Sequence, residues 1–542
     1  MGVEYMIDMT IGHYLDYIAS KYPEHEALVV SGKVKFSYKD LRNITNRFAK
    51  GLLKIGINKG DHVAIWATNI PEWIIALFAT AKIGAPLVPM NTQYIEREVE
   101  YILKQSDAKA VILMDGFKDI NYVETIYKLI PELKKNQDKK FHSDRLPYLK
   151  SVINIGRNIY PGMYNFEEIM GMGSVINDNE LYKIQDSLNS QEVIDMQYTS
   201  GTTGFPKGVM LTHYGVLNNG DAIASRMKFT IKDKLCITVP LFHCFGYTLA
   251  VMACLSKAST MVLVDHFNPL VVMDVLDREK CTAVHGVPTM FISMLNHPDF
   301  EKYDFSNLRT GIMAGSVCPV NIMKAVVDKM NMREITSVYG LTEASPGITQ
   351  TSVDDPLEDR VSTVGYVLPE IKMKVVNPDT GEEVPNGVYG EIMAKGYNIM
   401  KGYYKMEDET RKAIEADGWL HTGDLGMIDK KGYLRITGRL KDIIIRGGEN
   451  ISPSEIEEYL YHHPDVKDVQ VVGVPDEKYG EEIMAYIIPK EGSMIKEDDI
   501  LAFARQGLAR FKVPRYIRII DKFPTTASGK IQKYKLREIA RT

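Results

Sequence analysis

The spacing of apolar and polar positions predicts helices and strands in regular succession near the start of the chain. Residues 38–55 place apolar side chains at helical spacing along one face. An apolar run at 62–66 is typical of a buried strand, and it precedes a helix at 71–83 and a second apolar run at 86–90. Strand–helix–strand units of this kind form parallel sheets covered by helices. The pattern therefore predicts an α/β fold.

The character of the sequence changes after residue 361. Short apolar runs alternate there with turn sequences such as Asn377–Gly381, which predicts a β-rich subdomain over about 361–438. The last hundred residues follow a different pattern, and Ser452–Glu455 (SPSE) has the sequence of a helix start with Ser as N-cap and Pro at the first position. We expect a large N-terminal domain over 1–438 and a small α+β domain over 443–542.

Composition and charge narrow the class of protein. With 45% hydrophobic and 25% charged residues the chain is globular, and its net charge of −5 argues against a general nucleic-acid binder. The five cysteines lack C-x-x-C spacing, which favours reduced thiols over disulfides or zinc. No signal-peptide pattern is present at the N-terminus, and charged or turn residues interrupt the most apolar region, 237–264. We expect a cytoplasmic protein without a membrane span, whose oligomeric state the sequence does not reveal.

The densest set of chemistry-bearing residues is Tyr198–Gly208 (YTSGTTGFPKG). Its glycines let backbone N–H groups approach an anion, its hydroxyls add donors, and Lys207 adds a positive charge, which together indicate a polyphosphate site. The candidate residues are Thr199, Ser200, Gly201, Thr202, Thr203 and Lys207. The loop departs from the common G-x-x-x-x-G-K-[ST] pattern because Pro206 precedes the lysine and Gly208 follows it.

Further motifs carry groups suited to a nucleotide. Tyr339–Glu343 (YGLTE) combines an aromatic ring, a hydroxyl and a carboxylate. Trp419–Asp424 ends in an isolated aspartate that suits a ribose diol, and Gly438–Asp442 follows it. Pro524–Lys530 places a lysine on a hydroxyl-rich loop. Taken singly, each motif has a plain alternative: an ordinary loop, a turn cap or a solvated lysine.

Taken together, these stretches resemble the core motifs of the adenylate-forming enzymes, which include acyl-CoA synthetases, peptide adenylation domains and beetle luciferases. The matching stretches are Tyr198–Gly208, Tyr339–Glu343, His421–Asp424, Arg439–Asp442 and Ser528–Lys530. Five motifs in order make a specific match that covers nearly the whole chain. Lys441–Asn450 and Val472–Asp476 look most like fatty acyl-CoA synthetases, particularly the medium-chain branch.

The resemblance implies a two-step reaction that uses ATP, Mg²⁺ and coenzyme A. A carboxylate attacks the α-phosphorus of ATP to give an acyl-adenylate and pyrophosphate. The thiol of coenzyme A then attacks the acyl carbonyl and AMP leaves. By resemblance, Lys530 bridges the carboxylate and the α-phosphate, where one ammonium stabilises the charge that develops. Thr342, Glu343 and His243 are the other catalytic candidates.

The resemblance also implies which residues hold the nucleotide. Thr199–Thr203 and Lys207 would bind the β- and γ-phosphates, and Glu343 with Thr199 would bind Mg²⁺. The remaining assignments are Thr342 at a phosphate oxygen, Gly315, Ser316, Val338, Tyr339 and the turn residue Gly340 at the adenine, and Asp424 and Arg439 at the ribose.

In this family the small domain turns between the two half-reactions. The resemblance places a hinge at 439–442, with Lys441 at its centre; the alternative for Lys441 is an exposed turn lysine. The face around Ile445–Glu449 would then meet coenzyme A, and Gly447 and Gly448 would let the pantetheine arm pass close to backbone.

The acyl pocket follows from positions that line or gate the acyl tunnel in relatives. His243 and Tyr247 match such positions, although His243 could also be a satisfied core histidine. The other candidate wall residues are Val287, Met290, Met313, Gly315 and Val338. Because these positions offer no obvious basic residue for a second carboxylate, an aliphatic acid is favoured over a dicarboxylate. Chain length does not follow from these positions, and it is the resemblance that implies a medium- or long-chain fatty acid. Aromatic acids stay open.

Two other functions remain open at this point. One is adenylation with transfer to a carrier protein instead of coenzyme A. The other is nucleotide binding in a sensing or scaffolding role without ligase activity; the presence of Lys530, Glu343 and Asp424 argues against it.

Overall fold

The computed structural model describes residues 6–135, 139, 141–199, 206–316, 318–447, 449–526 and 531–540. The chain forms two compact units. The first contains Met1–Lys372 and Lys395–Leu420, and the second contains Met373–Ala394 and His421–Thr542. Parallel sheets with helices on them confirm the predicted α/β class.

Helices and strands alternate along the first unit, as the apolar pattern predicts. The α-helices of the chain are α1 (Ile11–Lys21), α2 (Tyr38–Lys54), α3 (Pro71–Ile83), α4 (Glu96–Gln105), α5 (Tyr122–Leu129), α6 (Phe166–Gly173), α7 (Asp178–Asp186), α8 (His213–Arg226), α9 (Cys244–Gly246), α10 (Ala253–Lys257), α11 (Pro269–Arg278), α12 (Pro288–Leu295), α13 (Val320–Lys329), α14 (Leu357–Ser362), α15 (Glu407–Ala413), α16 (Pro453–Leu460), α17 (Glu497–Gly507) and α18 (Lys533–Ala540). The strands are β1 (Glu26–Val30), β2 (Val34–Ser37), β3 (His62–Trp66), β4 (Leu87–Pro89), β5 (Ala108–Leu113), β6 (Gly116–Phe117), β7 (Ile120–Asn121), β8 (Ser151–Asn154), β9 (Tyr164–Asn165), β10 (Val193–Thr199), β11 (Lys207–Thr212), β12 (Lys234–Ile237), β13 (Thr260–Leu263), β14 (Ala283–Val284), β15 (Thr310–Ala314), β16 (Glu334–Gly340), β17 (Gly347–Gln350), β18 (Tyr366–Val367), β19 (Ile371–Val376), β20 (Gly390–Gly396), β21 (Gly402–Tyr403), β22 (Leu420–Ile428), β23 (Leu434–Arg439), β24 (Ile444–Arg446), β25 (Glu449–Ile451), β26 (Val466–Asp476), β27 (Gly480–Pro489) and β28 (Tyr516–Ile519).

Two large sheets form the framework of the first unit. One has the order β18-β17-β16-β15-β14-β12-β13-β1-β2 and the other β21-β11-β10-β4-β3-β5-β8-β9. Their central strands pair in parallel, whereas β2, β17, β18, β11 and β21 add antiparallel edges. Parallel strands need both faces covered, which explains why β15 is buried throughout. The carboxyl ends of parallel strands lie at one edge of each sheet, and the loops there can carry a site.

The helices that cover these sheets show why the apolar spacing predicted them well. Helix α2 is amphipathic and begins with a capping box in which Ser37 and Asp40 each accept the other's backbone N–H. Helix α3 is mostly apolar and buried from Trp73 to Ile83, so it packs on every side, and its buried lysine, Lys82, pairs with Asp16. The apolar region predicted to be buried, 237–264, breaks into short helical segments and β13. Among the described residues, every helix is too short or too polar to cross a lipid bilayer.

The second unit contains two smaller sheets. One has the order β19-β20-β22-β23, and the other has the order β25-β24-β27-β26 with β28 on β27. Helix α16 starts at Pro453 as predicted, but the hydroxyl of Ser452 makes no capping bond to the helix and donates to the carbonyl of Thr437 instead. The division between the compact units falls within 361–438. The predicted domains, 1–438 and 443–542, and the predicted hinge at 439–442 stay predictions.

Candidate active site

The predicted phosphate loop connects two antiparallel strands of the eight-stranded sheet. Thr199 ends β10 and lies opposite Lys207, the first residue of β11. The loop candidates Ser200, Gly201, Thr202 and Thr203 lie outside the described residues, as do Gly448 and Lys530. A strand-to-strand connection differs from the strand-to-helix turn of the common phosphate loop, in agreement with the mismatch in sequence.

Helix α4 holds both arms of this hairpin. The hydroxyl of Tyr101 donates to the carbonyl of Pro206 at 2.9 Å, and the hydroxyl of Tyr198 donates to the side-chain oxygen of Gln105. The amide of Gln105 in turn donates to the carbonyl of Tyr404 at 2.9 Å. Burial raises the pKa of Tyr198, so its hydroxyl remains a neutral donor. These contacts fix the backbone at the two described ends of the loop.

Lys207 already has partners inside the first unit. Its ammonium forms an ion pair with Glu409 of α15 and lies 4.8 Å from the ring centroid of Tyr403. Its side chain is only 12% exposed. Lys207 and then Lys412 lower the pKa of Glu409 to about 2, so Glu409 is ionised at neutral pH. A phosphate at Lys207 therefore meets an ammonium that a carboxylate and an aromatic face already hold in place.

Glu343 and Thr342 lie in the tight turn that follows β16. One oxygen of Glu343 accepts a hydrogen bond from the hydroxyl of Tyr403 at 2.9 Å. The buried hydroxyl of Thr342 lies 3.7 Å from the sulfur of Cys244, which is 3.5 Å from Nδ1 of His243. The structure therefore brings together three of the predicted catalytic candidates, with Cys244 between two of them.

Strand register brings the predicted adenine-binding residues together. Strands β15 and β16 are parallel, with Ala314 opposite Val338, so Gly315 and Ser316 leave the sheet beside Tyr339 and Gly340. Gly315 has a φ of 92°, a conformation that favours glycine. A Cβ on Gly340 would lie 1.9 Å from the carbonyl oxygen of Pro346, so that position also excludes a side chain.

Most of the predicted acyl-pocket residues are core residues on neighbouring elements. The exposed fractions are 4% for Val287, 6% for Met290, 0% for Met313, 7% for Val338 and 0% for Tyr247. An isolated β-bridge pairs Gly286 with Met313 of β15, so the next residue, Val287, lies beside the end of that strand. Tyr247 begins a π-helical turn between α9 and α10 and contacts Trp73 edge-on at 6.3 Å. His243 accepts the backbone N–H of Phe245 at 3.1 Å, so it caps α9.

In the second unit the predicted ribose residues face each other. Asp424 of β22 and Arg439 of β23 are cross-strand partners, and Nε of Arg439 lies 2.9 Å from Oδ1 of Asp424. Asp424 is buried, with an 8% exposed side chain, whereas Arg439 is 53% exposed. The pair presents an arginine to solvent and holds a carboxylate behind it.

The predicted hinge and coenzyme A residues lie further along the chain, in a tight turn and in the hairpin that follows it. Lys441 is exposed in the tight turn Leu440–Asp442, and Asp442 pairs with Arg537 at 2.7 Å. Gly447 has a φ of 60° in the hairpin between β24 and β25, where Arg446 lies opposite Glu449. The backbone N–H of Gly447 donates to the carbonyl of Tyr479 at 2.8 Å, which anchors the hairpin to the residue before β27.

The sequence motifs missed the residues that hold these candidates. Tyr101, Gln105, Tyr403 and Glu409 come from outside every recognised motif, yet each contacts a predicted phosphate or metal residue or its loop. The sequence feature that could have drawn attention to them is the pair of tyrosines after Gly402, shortly before the acidic start of α15. The spacing of these tyrosines does not indicate a ligand-binding site.

Comparison with known proteins gives a consistent set of relatives. The family profile described as "AMP-binding enzyme" matches residues 15–404, and the profile "AMP-binding enzyme C-terminal domain" matches residues 455–530. The Bacillus subtilis (strain 168) protein YngI, provisionally named an acyl-CoA synthetase, is 52% identical over 534 residues, covering 98% of this chain and 97% of the relative.

Other relatives lie further away but cover as much of the chain. The mitochondrial medium-chain acyl-CoA ligase ACSF2 of Rattus norvegicus is 38% identical over 541 residues, covering 98% of this chain and 88% of the relative. The crystal structure of ATP-bound MatB from Rhodopseudomonas palustris is similar with a TM-score of 0.83 and 26% identity, over 98% of this chain and 99% of that one.

Proposed function

This chain belongs to the AMP-binding enzymes, and from that membership we propose that the acid it activates is a medium- or long-chain fatty acid. It is an AMP-forming acid–thiol ligase, and it uses ATP and coenzyme A with a carboxylic acid. The apolar, buried character of Val287, Met313 and Val338 carries the proposal for the acid. The similarity to a relative named as a medium-chain ligase supports it.

Mg²⁺ fits the carboxylate of Glu343. Within the described ranges, no group of three or more His, Cys, Asp or Glu side chains is arranged to hold a metal ion. A lone carboxylate suits Mg²⁺ that arrives with ATP, because this ion keeps several waters and binds through one or two carboxylates and phosphate oxygens. We assign Glu343, with Thr199, to this ion, whose chemistry is to neutralise phosphate charge.

The remaining residues of the first unit have roles in binding and orientation. Lys207 and the loop from Thr199 hold the β- and γ-phosphates, and the ammonium of Lys207 is held in place by Glu409 and Tyr403. Gly315 and Tyr339 hold the adenine, because the strand register brings their backbones together without a side chain at Gly340. Thr342 and His243, which both contact Cys244, are assigned to the reacting groups.

In the second unit we assign Asp424 and Arg439 to the ribose, since the carboxylate is fixed and can accept hydrogen bonds from a diol. Gly447, Gly448 and Glu449 accommodate the pantetheine arm, and Lys441 is the hinge residue. Lys530 supplies the ammonium that stabilises the charge formed when carboxylate meets α-phosphate.

The acid can be identified with a panel of substrates. Wild-type protein is given ATP, Mg²⁺, coenzyme A and saturated acids from C4 to C16, with benzoate-type acids as the alternative class, and AMP and thioester are measured. We expect the highest kcat/KM for a medium- or long-chain acid. A preference for benzoate-type acids would overturn the substrate proposal while leaving the ligase activity in place. Thioester formation only on a carrier protein would favour that alternative acceptor.

The variant Lys530→Ala tests the catalytic lysine. We expect acid-dependent pyrophosphate release to fall by about 10²–10³-fold, while reaction of preformed acyl-adenylate with coenzyme A is retained. Equal loss of both half-reactions would contradict the assignment. Lys533→Ala, three residues further along and paired with Glu457, is the matched control.

We also propose a cytoplasmic location, supported by the similarity to the bacterial relative; the rat relative is named as mitochondrial. Cell fractionation distinguishes the two compartments.

A further inference from the structure

A short segment of the first unit connects the phosphate loop to the turn that carries Glu343. This bridging segment is 398–404. On one side, the side chain of Asn398 donates to the carbonyl of Ala344 at 2.9 Å and the backbone N–H of Met400 donates to the carbonyl of Glu343 at 2.9 Å. On the other side, β21 pairs with β11 and the N–H of Tyr404 donates to the carbonyl of Gly208 at 2.8 Å. The segment is therefore bonded to both predicted phosphate-binding elements.

Tyr403 is the residue of this segment whose side chain contacts both predicted charges. Its ring lies against the ammonium of Lys207, with 4.8 Å between nitrogen and ring centroid. Its hydroxyl donates to Oε1 of Glu343 at 2.9 Å. The backbone N–H of Tyr403 donates to the hydroxyl of Thr410 on α15, the helix that also carries Glu409. Tyr403 itself is only 9% exposed, so its orientation is fixed by packing.

We infer that Tyr403 is a positioning residue that sets the distance and orientation between the phosphate-binding lysine Lys207 and the metal-binding carboxylate Glu343. The inference rests on the proposed function, because it uses the roles given there to these two residues. Tyr403 contacts neither substrate nor metal in this role and acts through its neighbours.

A tyrosine suits this task for two physical reasons. An aromatic face attracts an ammonium without adding a second negative charge beside it, so the ring of Tyr403 orients Lys207 and does not compete with phosphate as a carboxylate would. A neutral hydroxyl that donates to one oxygen of Glu343 orients the carboxylate and leaves its negative charge for the ion. A lysine or arginine at position 403 would orient Glu343 but would compete with Mg²⁺ for its charge.

Three variants separate the two contacts. Tyr403→Phe keeps the ring and removes the hydroxyl, and Tyr403→Leu removes both. Tyr404→Phe is the matched control, because it removes a neighbouring hydroxyl that donates to Asp107 at 2.9 Å. Two quantities are measured: the Mg²⁺ concentration that gives half-maximal acid-dependent ATP–pyrophosphate exchange, and the Kd of ATP in EDTA by calorimetry.

We expect Tyr403→Phe to raise the half-maximal Mg²⁺ concentration by about tenfold and to leave the Kd of metal-free ATP within about twofold. Tyr403→Leu should raise the Mg²⁺ requirement equally and also weaken metal-free ATP by about threefold, because the ring contact to Lys207 is lost. Tyr404→Phe should change neither quantity.

A wild-type Mg²⁺ requirement in Tyr403→Phe would overturn the inference. A second check uses Glu343→Gln: in that background Tyr403→Phe should have no further effect on the Mg²⁺ requirement, and a full additional effect would also overturn it. Absence of exchange in the wild-type protein with every acid would instead refute the proposed function, so the two failures are distinguishable.

Discussion

The predicted phosphate residues of the first unit and the predicted ribose residues of the second are built in different ways. Lys207 and Glu343 come from distant parts of the chain and are held by Tyr403 and Glu409 from two further elements. Asp424 and Arg439 lie opposite each other on consecutive strands, so strand pairing within one hairpin brings them together.

The two arrangements also differ in exposure. The side chain of Lys207 is 12% exposed and that of Arg439 is 53% exposed. A network that is largely buried keeps its geometry before a ligand arrives, which suits a group that must stabilise a developing charge. The difference indicates that the first unit holds its predicted phosphate-binding lysine in place before a ligand binds, whereas the second holds a buried carboxylate, Asp424, behind an exposed arginine.

Loss of Lys207 should have the largest effect in this comparison. Lys207→Ala removes a preorganised cation from the predicted phosphate site, so kcat/KM for ATP in acid-dependent pyrophosphate exchange should fall by about 10²-fold. Steady-state kinetics at saturating acid measures it. The control is Lys412→Ala, since Lys412 pairs with the same carboxylate, Glu409, but is 73% exposed. An equal fall in kcat/KM in the two variants would contradict a phosphate-binding role that is specific to Lys207.

Loss of the ribose carboxylate should have a smaller and more selective effect. Asp424→Asn weakens hydrogen bonds from the ribose hydroxyls, so the KM for ATP should rise by about tenfold. With 2′,3′-dideoxy-ATP as substrate the variant and the wild type should differ by less than about twofold, because the hydroxyls are absent. Asp429→Asn, in the same hairpin, is the control. A loss of the same size with both nucleotides would show that Asp424 acts through Arg439 and not on the ribose.

The smallest effect concerns Glu409, the carboxylate that pairs with Lys207. Glu409→Gln removes a negative charge beside the predicted polyphosphate site, so ATP should bind about threefold more tightly, as measured by calorimetry. Weaker binding would show that Glu409 orients Lys207 instead of competing with phosphate.

The same variant gives a pH test. The pKa of Glu409 is lowered from its usual value to about 2, chiefly by the hydrogen bond from Lys207. A depressed carboxyl pKa means that the ion pair contributes fully above the usual value of about 4.5 and is lost as pH falls through about 2. The ratio of ATP affinities between variant and wild type should therefore be constant from pH 5.5 to 8. A ratio that changes with pH in this range would contradict the pairing.

The sequence predicted those parts of the fold and the site that depend on nearby residues. The predicted helix at 71–83 and strand at 62–66 coincide with α3 and β3, because apolar spacing is local. The pairing of Asp424 with Arg439 also lies within one hairpin, and its two residues fell in neighbouring motifs.

Contacts between distant segments could not be predicted in this way. Tyr403 meets Glu343 because the segment that carries it bonds both β11 and the turn of Glu343. A strand of two residues leaves no periodicity to detect. Tyr101 reaches Pro206 because α4 packs beside the hairpin, a fact that no local pattern contains. The hydroxyl of Ser452 donates to the carbonyl of Thr437 on β23 and caps no backbone N–H of α16, a tertiary contact that the local helix-start pattern does not contain.

The pairing of β21 with β11 also affects how exposed the edge of the sheet is to other molecules. Without β21, strand β11 would be the edge strand of this sheet. Its outer row of backbone donors and acceptors could then pair with a strand from another molecule. Gly402 and Tyr403 occupy part of that row, and the N–H groups of Lys401 and Tyr404 bond the carbonyls of Met210 and Gly208 on either side. The segment that orients the predicted site thus also shields β11 from edge-to-edge aggregation.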